Sequence, residues 1–273
     1  MSSLELVRTI GFNGSLQSGL GVHPDGEHMI YALGSTVVIE NLQNKSQKIL
    51  RGHTNTVSCI AISPSGNFIA SGQETHMGFK ADIIVWDYKT LQPYAKLSLH
   101  KVCVEALSFS PNDKYLVSLG GQDDGSVVVW SLENKEAVCG ASAAIASAGN
   151  ATVVACCKQN ELKFITAGDL TLRVWTIDVE NRKIRSVECQ MGLYKRSIKC
   201  VEISNDDSYF YCGTTSGDIL KINTHTCKLI CCGPEKDKFT RGVSDIKILP
   251  NDNLIVGSGS GIAYLSKVKN SFV

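Results

Sequence analysis

One unit recurs along the chain and constrains its fold more than any other feature. It is an alternating apolar strand, a turn rich in Pro, Asp, Asn and Gly, a second strand closing in small residues, and a short apolar third strand. The clearest copies are CIAISPSGNFIASG (59–72) and ALSFSPNDKYLVSLG (106–120). Weaker copies lie at 21–34, 201–214 and 246–259, and the most degraded at 156–168. Aligned on Pro24, Pro64, Pro111, Asn205 and Pro250, the turns are 40, 47, 94 and 45 residues apart, and the copy at 156–168 divides the long interval into two periods. A repeat of about 40–45 residues with four strands predicts propeller blades. Ser-Pro-Ser-Gly and Ser-Pro-Asn-Asp suit the hairpins, because proline presets φ and the residues after it tolerate a tight reversal.

The third strands read DIIVWD (82–87), SVVVWS (126–131), TLRVWT (171–176), DILKIN (218–223) and GIAYLS (261–266), and all three tryptophans fall at one position in consecutive copies. The chain is therefore expected to be all-β, a single propeller over residues 1–273. Its blades are expected at about 20–53, 57–100, 103–144, 150–192, 197–234 and 242–273. LELVRTI (4–10) is expected as a further strand with no blade of its own, closing the ring as the outer strand of a seventh blade whose inner strands are missing. The expectation is a truncated seven-bladed propeller.

Arg51-Gly52-His53 ahead of the second copy and Trp86-Asp87 at its close resemble the Gly-His to Trp-Asp pairing of the WD-repeat family. That resemblance implies a buried hydrogen-bond chain in each blade, running through a His, a Ser or Thr, a turn Asp and the Trp. Blade three matches best, with His100, Ser118, Asp124 and Trp130; blade four keeps Thr166, Asp169 and Trp175. Blade two has His53, Ser71 and Trp86, but QETHMGFKA (73–81) is inserted where the turn acid belongs, so Asp82 is not expected to serve. These residues read as scaffold. A Ser-His-Asp catalytic reading of blade three is set against the recurrence of the same residue types blade by blade.

Composition excludes several functions. The net charge is +1, with 27 basic and 26 acidic side chains, so no broad field collects nucleic acid or anionic lipid. No apolar run of about 18 residues occurs, and the N-terminus lacks a secretory pattern, so neither membrane spanning nor secretion is expected. The Asn-x-Ser/Thr triplets at Asn13, Asn44 and Asn150 then lack the route to glycosylation. Eleven cysteines are present without a Cys-x-x-Cys pair, so no metal site, cofactor or small-molecule substrate is expected, and the thiols read as packed apolar groups. GSGSG (257–261) lacks the Lys-Ser/Thr ending of a phosphate loop and reads as a blade turn.

Further stretches resemble one family more closely, the cilia- and flagella-associated WD-repeat proteins of axonemal doublet microtubules. They include IGFNG (10–14), HPDGEHMIY (23–31), MGFKADIIVWDYK (77–89), LSLHK (97–101), EALSFSPNDKYLVSLGG (105–121), DDGSVVVWS (123–131), GTTSGDILKIN (213–223) and KDKF (236–239). The resemblance implies a non-catalytic microtubule inner protein that binds tubulin and neighbouring lattice proteins and supports motility. It places the protein in the cytoplasm, in the cytoskeleton of the cilium or flagellum. The alternative is a soluble cytosolic adaptor recruiting partners into a signalling or ubiquitin-ligase complex. Within the insertion, His76, Met77, Phe79 and Lys80 are candidate partner contacts, since Met and Phe at a loop tip anchor a partner well; the competing reading folds Met77 and Phe79 back onto their own blade. Basic clusters at 181–185, 194–199 and 236–241 could dock on an acidic partner, but the excess is local and acids intervene, which favours a solvated face.

Overall fold

A computed structural model describes residues 8–143, 149–193, 196–234, 238–265, 267–268 and 271–272. Blade one contains β1 (Leu20–Val22), β2 (His28–Leu33), β3 (Thr36–Asn41) and β4 (Gln47–Arg51). Blade two contains β5 (Val57–Ile62), β6 (Phe68–Gln73), β7 (Lys80–Asp87) and β8 (Pro93–Lys101). Blade three contains β9 (Val104–Phe109), β10 (Tyr115–Gly120), β11 (Ser126–Ser131) and β12 (Glu136–Ser142). Blade four contains β13 (Ala151–Cys156), β14 (Lys163–Gly168), β15 (Leu172–Asp178) and β16 (Lys183–Glu188). Blade five contains β17 (Ile198–Ile203), β18 (Tyr209–Thr214), β19 (Ile219–Asn223) and β20 (Leu229–Gly233). Blade six contains β21 (Val243–Ile248), β22 (Leu254–Ser258) and β23 (Gly261–Leu265). Each blade is an antiparallel meander in chain order, and the protein is a six-bladed propeller.

The turn chemistry sets the first hairpin of a blade. Gly26, Gly66, Asp113, Asp207 and Asp252 all hold positive φ, between 57° and 76°, at equivalent places. Only Gly, and next to it Asp or Asn, enters that region cheaply, which is why these residue types recur there. Ser63, Ser110 and Ser204 open three of these turns. In each, the Ser carbonyl accepts from the positive-φ residue, and the hydroxyl accepts from the amide of Phe68, Tyr115 or Tyr209 at 2.9–3.1 Å.

Alternation along the strands sends one set of side chains to each neighbouring blade. Ile83, Val85 and Leu97 of blade two pack with Val104, Leu107 and Leu116 of blade three, and Phe210 and Leu220 of blade five pack with Ile165 and Leu172 of blade four. The innermost strands surround a central cavity of about 600 Å³, lined in part by Leu20, Ile60, Val153, Val201 and Lys247.

Between blade six and blade one no comparable packing occurs among the described residues. Leu20 and Val22 on one side, and Ile255 and Ile262 on the other, are exposed. The sequence reading put a strand over 4–10 on the outside of a last blade. Residues 4–7 lie outside the described residues; Arg8–Ile10 are not strand, and Thr9 donates its amide to Gln47 Oε1 at 2.8 Å, on the outer strand of blade one. The end of the chain differs as well. β24 (Lys267–Val268) and β25 (Ser271–Phe272) pair with each other in a separate hairpin, and among the described residues blade six has three strands.

Candidate functional site

The second and third strands carry the hydroxyls and indoles in register. Ser71, Ser118 and Thr166 stand on β6, β10 and β14; Trp86, Trp130 and Trp175 stand on β7, β11 and β15. An indole N–H can only donate, so the hydroxyl oxygen accepts, at 2.8 Å in Trp86–Ser71, 2.7 Å in Trp130–Ser118 and 2.8 Å in Trp175–Thr166. The serine O–H is then free to donate to histidine Nε2, at 2.7 Å in Ser71–His53 and 2.6 Å in Ser118–His100. That fixes the proton on Nδ1, which donates to Asp124 in blade three. Asp124 also accepts from Ser126 at 2.7 Å. The structure thus brings His100, Ser118, Asp124 and Trp130 into one chain.

In blade two the carboxylate's place is taken by Gln73, whose Oε1 lies 2.9 Å from His53 Nδ1. Asp82 instead pairs with Lys96 at 2.8 Å. The inserted segment therefore begins one residue later than the sequence suggests, because Gln73 is the last residue of β6 and not a loop residue. Asp169 departs from its expected role. Its side chain is exposed, and Trp175 and Thr166 bond without it, since blade four presents no histidine for an acid to hold.

The chemistry of these chains is closed. The Ser118 hydroxyl is fully buried, accepts from Trp130 and donates its proton to His100, so it is shut away from any substrate. Burial holds both His53 and His100 below the usual histidine range, against the hydrogen bonds from Gln73 and Asp124 that would raise them. A nucleophile needs an exposed oxygen, and the Ser71, Ser118 and Thr166 hydroxyls are buried.

Two further substitutions of the chain were invisible to the repeat pattern. In blade five Cys212 occupies the hydroxyl position and Ile222 the indole position, both fully buried. Donor and acceptor are lost together, a change that leaves no orphan polar group. In blade one Tyr31 and Glu40 hold the same two positions and bond to each other at 3.0 Å. The signal that could have found them is positional, since each pair keeps its distance from the turn while changing chemistry.

Members of the basic clusters are engaged within the propeller. Arg182 of blade four donates to the carbonyls of Ala137 and Val138 on blade three, and Arg196 and Lys238 both approach Asp218, at 2.8 and 3.7 Å. Residues 194–195 and 236–237 of those clusters lie outside the described residues. GSGSG is the turn joining β22 to β23, with Ser258 and Ser260 hydroxyls 2.8 Å apart.

The candidate contact residues lie elsewhere. Met77 and Phe79 do not fold back; they are 78% and 64% exposed, and His76 and Lys80 beside them are exposed too.

Residues 46–271 match the model of the echinoderm microtubule-associated protein first β-propeller. The chain belongs to this family. It is 55% identical over 267 residues to cilia- and flagella-associated protein 52 of Homo sapiens, covering 98% of this chain and 43% of that protein. It is 42% identical over 266 residues to the Chlamydomonas reinhardtii protein of the same name, covering 96% of this chain and 42% of that one. The chain thus spans less than half the length of these relatives, and it belongs with proteins associated with cilia and flagella. Among solved structures, U3-55K superposes with a TM-score of 0.73 at 19% identity, covering 93% of this chain and 79% of that one. The WD40 repeats of RRP9 give 0.71 at 20%, covering 91% and 76%. These two likenesses concern the fold alone.

Proposed function

We propose that this propeller is a non-catalytic structural component of the doublet microtubules of cilia and flagella. In this reading it binds tubulin and neighbouring lattice proteins on the inner wall and supports motility. The observation that carries it is the 55% identity, sustained over 98% of the chain, to a relative named for cilia and flagella. The site chemistry agrees. The Ser and His of blades two and three, with Gln73 in the one and Asp124 in the other, are consumed in holding strands together, and a propeller binds through a few side chains at its loops. Cosedimentation of the purified chain with doublet microtubules through raised salt tests the proposal. Retention in the pellet supports a lattice role; release into the supernatant, with binding to a soluble cytosolic assembly instead, would replace it with the adaptor reading.

A further inference from the structure

Blade two carries the longest strands of the six, eight residues in β7 and nine in β8, and the insertion ahead of them forms a tip that is bonded and not loose. Phe79 N–H donates to His76 O at 3.1 Å, Val102 N–H to Phe79 O at 3.1 Å and Thr75 N–H to Val102 O at 2.6 Å, while Glu74 bridges Cys103 at the entry to blade three. A tip held this way presents side chains at little further entropic cost on binding. What it presents is apolar and unshielded: Met77, Phe79 and, on β8, Leu99 at 47% exposure.

The charges at its base are arranged against the fold's own interest. Lys80 and Lys101 are directly opposed across the β7–β8 ladder, both exposed, and neither has an ion-pair partner among the described residues. Like charges directly opposite destabilise a hairpin. An anionic partner would relieve that repulsion while its apolar recess took the Met77 and Phe79 side chains. Glu74 stands exposed on the same tip, which disfavours a uniformly anionic bilayer or polynucleotide and suits a protein surface of mixed character.

The geometry points to this hairpin tip as the docking element for an acidic protein surface with an apolar recess, Met77 and Phe79 entering the recess and the Lys80–Lys101 pair meeting its carboxylates. The assignment rests on the lattice reading above and names the surface that would serve it.

Three forms of the chain decide it in cosedimentation with salt-extracted doublet microtubules: the native protein, Met77→Ser with Phe79→Ser, and Lys101→Glu. The double variant should bind at least about tenfold more weakly, as loss of buried anchors does. Lys101→Glu should also bind about tenfold more weakly, yet its thermal midpoint should hold or rise, because it turns a repelling cross-strand pair into an attracting one. A merely structural role for the tip could not produce that opposition. Native binding with both variants unchanged overturns the docking assignment and leaves the lattice reading standing; failure of the native chain to bind overturns both. Binding to phosphatidylserine-containing vesicles that is lost in the same variants would assign the tip to a membrane and overturn the assignment to a protein.

Discussion

The amide oxygen of Gln73 stands 2.9 Å from Nδ1 of His53, where blade three sets the carboxylate of Asp124 against His100. A neutral acceptor suffices because the histidine is held neutral by burial and has one N–H to place. Gln73→Ala should leave that N–H buried without an acceptor and cost about 1–3 kcal/mol in urea unfolding.

Swapping the hydroxyl position between blades should destabilise in both directions. Cys212→Ser adds a hydroxyl facing Ile222, which offers no indole, and Ser118→Cys deprives Trp130 and His100 of their shared partner. Each is expected to cost about 1–3 kcal/mol, because a polar group is orphaned in a dry site. Equal stability of Cys212→Ser and the parent in urea melts would contradict the pairing.

Blades two and three approach closely at Gly72, where a Cβ would come within 2.6 Å of the Val104 side chain and 2.9 Å of Cys59 Sγ. Gly72→Ala should therefore lower stability by about 1–3 kcal/mol through overpacking. Adding Val104→Ala should return part of that loss, a coupling that a double-mutant cycle reads directly.

Alkali should unfold the protein earlier than its charge balance implies. Burial pushes the thiol of Cys139 up to about 11 and those of Cys156, Cys157 and Cys200 up to about 12, from an ordinary value of 9.0. The folded state keeps these protons while the unfolded chain releases them, so the stability they contribute is intact below about pH 9 and is lost as pH rises beyond it. The urea midpoint should hold between neutral pH and about pH 9 and fall steeply from there towards about pH 11, and replacing Cys156 and Cys200 with Ala should flatten that slope.

The architecture was legible because its signals are local. Turn residues at fixed places and apolar strands between them declare hairpins before any long-range contact is known. The polar chains were legible only where all their members were of the expected type, as with His100, Ser118, Asp124 and Trp130. Gln73 is hidden from the motif because an amide serves where the pattern has an acid. Asp169 fits the motif by position alone, although blade four has no imidazole for it to hold. Tyr31 with Glu40, and Cys212 with Ile222, escaped because both members changed at once, and a pair that changes together breaks the motif while preserving the packing. The pairing of β24 with β25 depends on which edge a short terminal segment finds, a competition that no window of sequence expresses.

Indole-to-hydroxyl bonds join the middle strands of blades two, three and four, whereas blade five has only the Cys212 thiol and the aliphatic Ile222 at those positions. Directional bonds resist shear, and aliphatic contacts slide at small cost. The propeller is therefore mechanically uneven, stiffer through blades two to four than at blade five. A force delivered at the tip of blade two would therefore meet directional bonds in its own blade and in blades three and four before it reached blade five.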